Sequence, residues 1–336
     1  MNRNITKWIV SLLCLTFLLL ITIIISLSVG SVQVPVERIL EIICNDKSSI
    51  EYNIIFNLRL PRIILGLAVG GSLSLAGLIL QGLFRNPLVE PYTLGISGGA
   101  ALAVSLDLVL RLNYIWSIFT LPVAGFIGSM SVILLIYIIS LKGGILRMQT
   151  LLLTGVMISF ISSSIIMLIM TITKTEELHS LIFWITGTLQ ETNWTIVKVV
   201  FTLSIFGLIT SYFFCHDLNA LLLGEEGARS LGINVERSKK LLFIIASVLT
   251  GISVSFCGII GFVGLIVPHI LRNVIGVDHR ILLMSSFLTG ALFLVICDTL
   301  SRTIISPLEL PVGVITGIIG GVFFISLAAR KDLVGY

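Results

Sequence analysis

LLFIIASVLTGISVSFCGIIGFVGLIVPHIL, Leu241 to Leu271, is the stretch on which the reading of this chain turns. It contains no Asp, Glu, Lys or Arg, and it is too long for one bilayer crossing and short for two, since a crossing takes about 20 apolar residues. Read as a single helix, it places Arg330 and Lys331 on the opposite side of a membrane from Arg3 and Lys7. Read as a full helix followed by a short one, broken around Gly258, Gly261 and Gly264, it completes a set of ten spans with both termini on one side.

The rest of the chain supplies the other spans. Apolar runs lie at 8–29, 63–84, 91–106, 112–141, 148–173, 178–216 (interrupted by Glu191 and Lys198), 281–297 and 310–329. Of all residues, 56% are hydrophobic and 11% charged, with mean hydropathy +1.12. A water-soluble surface needs roughly 25% charged residues, so the solvent is a lipid bilayer. The run from Trp8 to Val29 exceeds a cleavable signal segment and reads as a retained first helix. In the ten-span reading, 13 of the 21 basic residues fall on the side of the termini, which makes that side cytoplasmic. The fold expected is therefore all-α: one polytopic domain over 1–336, about ten transmembrane helices, both termini cytoplasmic.

Composition also excludes functions. The net charge of +4 is scattered and forms no basic stripe, so nucleic acid is not a partner. The five cysteines and four histidines follow no disulfide or zinc spacing, and they read as packing residues. No cofactor or metal is expected on this chain, and the interior offers no nucleophile–base pair for an enzyme. His269, beside Pro268, reads as the mark of a helix break near the inner face. An ion-coupled transporter, the alternative reading, places ionisable residues at mid-membrane, and here the spans hold almost none away from their ends.

Two polar segments stand apart. Residues 30–58 set Val36, Ile39, Leu40 and Ile43 at helical spacing among charges, an amphipathic segment outside the membrane. The inner loop 215–240 reads as two short helices, Asn219 to Leu223 and Glu225 to Leu231, ended by Gly224 and Gly232. Such a pair forms a docking surface for a soluble partner. An internal repeat is also suggested. Arg62, Gly70, Gly71, Gly77 and Asn86–Pro87 are echoed by Lys240, Gly251, Gly258 and Val267–Pro268, with the two runs pointing opposite ways.

Several stretches carry a resemblance: LRLPRIILGLAVGGSLSLAGLILQGLFRNPLVEPYTLGISGGA (58–100), LLLTGVMIS (151–159), FWITGTL (183–189), LNALLLGEEGARSLGINV (218–235), GIIGFVGLIVPHILRNVIGVDHR (258–280), DTLSR (298–302) and ELPVGVITGIIGG (309–321). Together they resemble the permeases that import ferric siderophores, haem and cobalamin, the type II ABC importers. The resemblance covers the chain from about Leu58 onward, and RLPR, NPL, GFVGLIVPH and ELPVG are specific in combination. It implies pairing with a second permease copy or close homologue, two cytoplasmic ATPase subunits that use ATP and Mg, and an extracytoplasmic binding protein. The chain itself has no GxxxxGK[ST] phosphate loop.

The resemblance also assigns residues. Arg59, Arg62 and Arg302 form an outward basic pocket for acidic residues of the binding protein, because guanidiniums pair bidentately with carboxylates. Asp298, four residues before Arg302, holds it in place, and Glu309 joins the same polar cluster; Asp107 and Arg111 share that spacing. ATPase docking falls to Leu221, Leu222, Gly224, Glu225, Glu226, Arg229, Leu231 and Gly232, with the three leucines filling a groove. Small and polar residues Thr154, Gly155, Ser159, Gly313, Thr316 and Gly317 are candidates for the translocation path. The expected function is passage of an iron chelate across a prokaryotic cytoplasmic membrane, a ferric siderophore before haem or cobalamin.

Overall fold

Inside a bilayer a chain that satisfies its own backbone hydrogen bonds segment by segment is a helix. A computed structural model, which describes residues 2–45, 49–110 and 119–329, is built in this way. Its helices are α1 (Asn2–Ser28), α2 (Val36–Asn45), α3 (Ile50–Asn53), α4 (Leu60–Phe84), α5 (Ile96–Val109), α6 (Thr120–Ser140), α7 (Met148–Ile172), α8 (Thr175–Ile185), α9 (Trp194–Phe213), α10 (Cys215–Leu222), α11 (Glu225–Ser230), α12 (Val235–Cys257), α13 (Val263–Ile275), α14 (His279–Thr303) and α15 (Val312–Ala329). A two-residue hairpin, Leu141–Lys142 against Ile145–Leu146, joins α6 to α7. Among the described residues, 7 helices are long and apolar enough to cross a membrane, and three shorter apolar helices (Ile96–Val109, Val263–Ile275, Val312–Leu327) accompany them. These match the ten expected spans.

The deciding stretch breaks where its glycines stand. α12 ends at Cys257, α13 begins at Val263, and Gly258 has φ +70°, a conformation that costs a residue without Cβ little. Other boundaries differ from the sequence reading. The segment 30–58 divides: α2 is the amphipathic helix, with Ile39 packed on Val34 and Ile55, whereas Ile50 already begins the long helix Ile50–Phe84. A π-helical turn, Ile54–Arg59, joins α3 to α4, so charged Glu51 and Arg59 ride on one continuous membrane helix. Pro268 and His269 do not mark a break; both lie inside α13, and His269 is buried. Arg111, Lys47, Arg330 and Lys331 lie outside the described residues, as does the start of the run 112–141.

α4 is the axis of the molecule. In its helix 89% of the apolar window is buried by protein, against 6% for α1. α14 runs antiparallel beside it, from Arg62 against Asp298 to Gly82 near His279. α1 runs parallel to α14, with Trp8 at Arg280 and Ser26 at Thr299 and Arg302. α4 descends from the arginine end and α12 rises from the end that holds α10 and α11. Each is followed by an interruption and a short helix, the opposed arrangement expected of inverted repeats.

The α4–α13 joint explains how Pro268 is tolerated. Proline has no N–H, so the carbonyl four residues earlier, on Gly264, loses its helical partner. Gln81 Nε2 of α4 donates to that carbonyl at 3.1 Å, and Gln81 Oε1 accepts from Arg272 Nη1 at 2.6 Å. The approach is possible because α4 carries glycine there: a Cβ on Gly77 would stand 1.9 Å from the Gly264 oxygen. Gly77→Ala should therefore destabilise the detergent-solubilised protein by about 1–3 kcal/mol. Gly321→Ala, which meets nothing within 4 Å, should leave the melting temperature unchanged in the same scan.

Candidate functional site

At one end of the bundle the three predicted arginines converge. Arg62, one turn into α4, sends Nε to Asp298 Oδ1 at 2.6 Å and Nη1 to Glu309 Oε2 at 2.7 Å. Arg302 reaches the other Asp298 oxygen at 3.1 Å, the i,i+4 pair expected, and also bonds Ser26 Oγ on α1 at 2.8 Å. Gln190, in the α8–α9 loop, donates to Glu309 at 3.0 Å. Arg59 pairs differently. Its guanidinium meets the carbonyls of Leu27 (2.5 Å), Ser28 (3.3 Å) and Val32, which the end of α1 leaves without helical partners.

All three arginines are buried, and so is Asp298 at 1% exposure. Three guanidiniums face two carboxylates, so the cluster keeps one positive charge in excess, and among the described residues Arg59 has no carboxylate partner. A cavity of about 180 Å³ opens above them, lined by Gly30, Ser31, Val32, Leu58, the arginines and Glu309. Glu309 sits in the loop after α14; burial opposes its charge, but the Arg62 hydrogen bond outweighs it and holds the carboxyl below its ordinary range.

The opposite end carries the docking loop. α10 and α11 form over nearly the predicted residues, separated by Gly224 at φ +103°, and Gly232 follows at φ +82°. Neither helix is loose. Asn219 Nδ2 donates to Asp278 Oδ1 at 2.9 Å, and its Oδ1 accepts the His279 N–H at 2.8 Å, which seats α10 on the start of α14. Lys239, a buried ammonium on α12, lies 3.1 Å from Glu225 and 2.9 Å from Glu236. Glu236 in turn accepts the Leu146 N–H of the hairpin at 2.9 Å. The hydrogen bond from Arg280 holds Asp278 well below the ordinary carboxylate range. The predicted residues divide by face: Leu222, Glu226, Arg229 and Leu231 are exposed, and Glu225 pairs with Arg229 at 3.9 Å. Leu221 does not fill an outer groove; it points into the protein's own core, at 3% exposure.

The path candidates scatter. Gly155 packs on the 3-10 turn Pro91–Leu94, where a Cβ would stand 2.7 Å from Leu94, and Gly313 fits against the Thr186 carbonyl. Thr316 is wholly buried and bonds the Gly313 carbonyl. Thr154 is half-buried, while Gly317 has nothing within 4 Å of where a Cβ would be. Ser159 lines a crevice of about 340 Å³ with Tyr92, Ser97, Met167 and Met170. Asp107 is buried, and its Oδ2 has no hydrogen-bond partner among the described residues.

Sequence reading missed Gln81, Lys239, Asn219 and the pair Glu90 and Tyr92. Tyr92 Oη accepts the Ile260 N–H at 3.0 Å, and Glu90 accepts that of Phe262, so both cap the α12–α13 break. The available signal was Glu90 itself, a carboxylate placed between two apolar runs with no basic residue beside it.

With this geometry in view, comparison with known proteins is informative. The family model described as the FecCD transport family matches residues 18–330. The hemin transport system permease protein HmuU of Yersinia pestis is 36% identical over 324 residues, covering 95% of this chain and 96% of that protein. The Fe(3+) dicitrate transport system permease protein FecD of Escherichia coli is 38% identical over 279 residues, or 83% and 86% of the two chains. A solved structure, described as an inward-facing conformation of a metal-chelate type ABC transporter, superposes with TM-score 0.83 at 30% identity, over 96% of this chain and 99% of that one.

The arginine cluster makes a stability prediction. Asp298→Asn leaves two buried guanidiniums without their shared anion and should cost about 3–5 kcal/mol, read as a lowered melting temperature in detergent. Glu309 behaves as a depressed carboxylate: its contribution is complete above the ordinary glutamate value of about 4.3 and is lost as pH falls through the lower folded value. Melting temperature measured from pH 6 downward should therefore fall less steeply in Glu309→Gln than in the unaltered protein.

Proposed function

The chain belongs to the FecCD transport family, the permeases of type II ABC importers, and on that premise we propose that it passes an iron chelate inward without modifying it. The cargo we assign is a ferric siderophore, with haem and cobalamin as lesser candidates. The named cargoes of its relatives, hemin and ferric dicitrate, support an iron-bearing chelate. ATP and its magnesium belong to two separate cytoplasmic ATPase subunits, and a second permease copy or close homologue completes the path across a prokaryotic cytoplasmic membrane.

The observation that carries this reading is the α10–α11 unit. Two short helices expose Leu222, Leu223 and Leu231 beyond the membrane helices, yet they are fastened to α12 and α14 through Lys239 and Asn219. A mere connecting loop has no need of buried ionic anchors. A lever driven by a soluble partner has, because force applied to a loosely tethered loop would not reach the spans.

At the far end, the excess positive charge around Arg59 supports docking of an acidic side chain from a binding protein. Arg62 and Arg302 are engaged by Asp298 and Glu309, so an incoming carboxylate meets the cavity lined by Arg59. Such contacts set orientation and encounter rate more than affinity.

Purification in mild detergent from native membranes tests the reading. A soluble ATPase should accompany the chain and be lost when Glu225 to Gly232 is replaced by a neutral linker. A chain that purifies alone, under conditions that preserve other membrane complexes, would remove the importer reading and leave an ion-coupled transporter in its place.

A further inference from the structure

At the docking end, α1 and the α13–α14 corner do not close on each other. Between them lies a crevice of about 910 Å³, the largest among those described, and nothing in the proposed transport cycle uses it. One wall is the start of α1, with Lys7, Trp8 and Val10. The other is the α13–α14 turn, with Val274, Val277 and Asp278.

Both walls are graded in the same direction. On α1 the polar residue Lys7 stands at the membrane border, and Val10 follows one turn deeper. On the facing wall Asp278 stands at the border, and Val274 lies deeper, at the last turn of α13. Val10, Val274 and Val277 are 58%, 75% and 50% exposed, so the apolar floor is uncovered by protein. Trp8 is the interfacial aromatic expected at headgroup depth, and the Arg280 guanidinium stacks over its ring at 5.1 Å, which fixes it.

The charges in the crevice do not cancel. Asp278 is satisfied by Arg280 at 2.5 Å and by Asn219 at 2.9 Å. Lys7 has no carboxylate partner among the described residues. An ammonium at the border above an uncovered apolar floor calls for one molecule with an anionic head and an apolar tail.

We propose that this crevice is a binding site for one anionic phospholipid of the leaflet at the docking end, its phosphate on Lys7 beside Trp8 and an acyl chain along Val10 and Val274. The occupant is a lipid and not a soluble anion, because the apolar floor is continuous with the lipid-exposed face of α1. Each basic residue near such a surface attracts anionic lipid by about 1 kcal/mol, a factor of roughly five in occupancy.

Native mass spectrometry of the whole protein, purified in mild detergent, tests the site. One phosphatidylglycerol or cardiolipin should remain on each chain, and Lys7→Gln, a change at an exposed position, should reduce its retention about fivefold. In nanodiscs, adding phosphatidylglycerol to phosphatidylcholine should raise the melting temperature of the unaltered chain and leave Lys7→Gln unmoved. Equal retention by both chains, or retained lipid that only mirrors the membrane's composition, would overturn the proposal. So would a shift produced by inorganic phosphate alone. Lipid that binds only after residues 330–336 are removed would show that the chain's own end fills the crevice, and would equally overturn it.

Discussion

In a bilayer, a backbone carbonyl or amide without a partner costs several kcal/mol, and this chain interrupts its helices within the protein interior. Every interruption is therefore matched by a group brought from elsewhere. Gln81 takes the carbonyl that Pro268 strands on Gly264, Tyr92 and Glu90 take the amides at Ile260 and Phe262, and the Cys257 carbonyl accepts from the Thr188 amide at 2.8 Å. The packing follows from these substitutions. Gly77 is needed so that Gln81 can come within reach, and α4 lies at the centre because it supplies Gln81 and leads directly into the loop that supplies Glu90 and Tyr92.

The two ends of the bundle solve a different problem, how to keep charge near lipid. At the arginine end one carboxylate is divided between two guanidiniums, and carbonyls from the end of α1 hold the third. At the docking end Lys239 is divided between two glutamates. Pairs of this kind add little to stability, but breaking one is expensive. They fix helices against sliding, which suits a protein whose ends must transmit contact from soluble partners to the spans between them.

Much of this was legible in the sequence, where cause and effect are close together in the chain. The Gly258 break, the two short helices around Gly224 and the Asp298–Arg302 pair all depend on residues within a few positions of one another. What escaped was set by distance. Arg59 is held by carbonyls 27 to 32 residues away, and a carbonyl has no signature in a sequence. Gln81 and Gly264 are 183 residues apart. Pro268 read as a breaker because its compensating donor could not be seen. Leu221 and Leu222 are adjacent leucines facing opposite environments, a difference that only the packing of α10 decides.

The long reach of the arginine cluster also bears on how the protein is made. Arg62 and Asp298 are separated by 236 residues. Synthesis proceeds at roughly 5–20 residues per second, so α4 waits about 10–50 s for its counterion. Through that interval the guanidiniums of Arg59 and Arg62 have only water and headgroups to bind, and α1, the most apolar of the spans, lies in lipid without α14. The helix that becomes the centre of the molecule is thus inserted early and seated last. Nascent α4 is the segment most exposed to quality-control proteases, and a truncation that removes α14 leaves it in that state permanently.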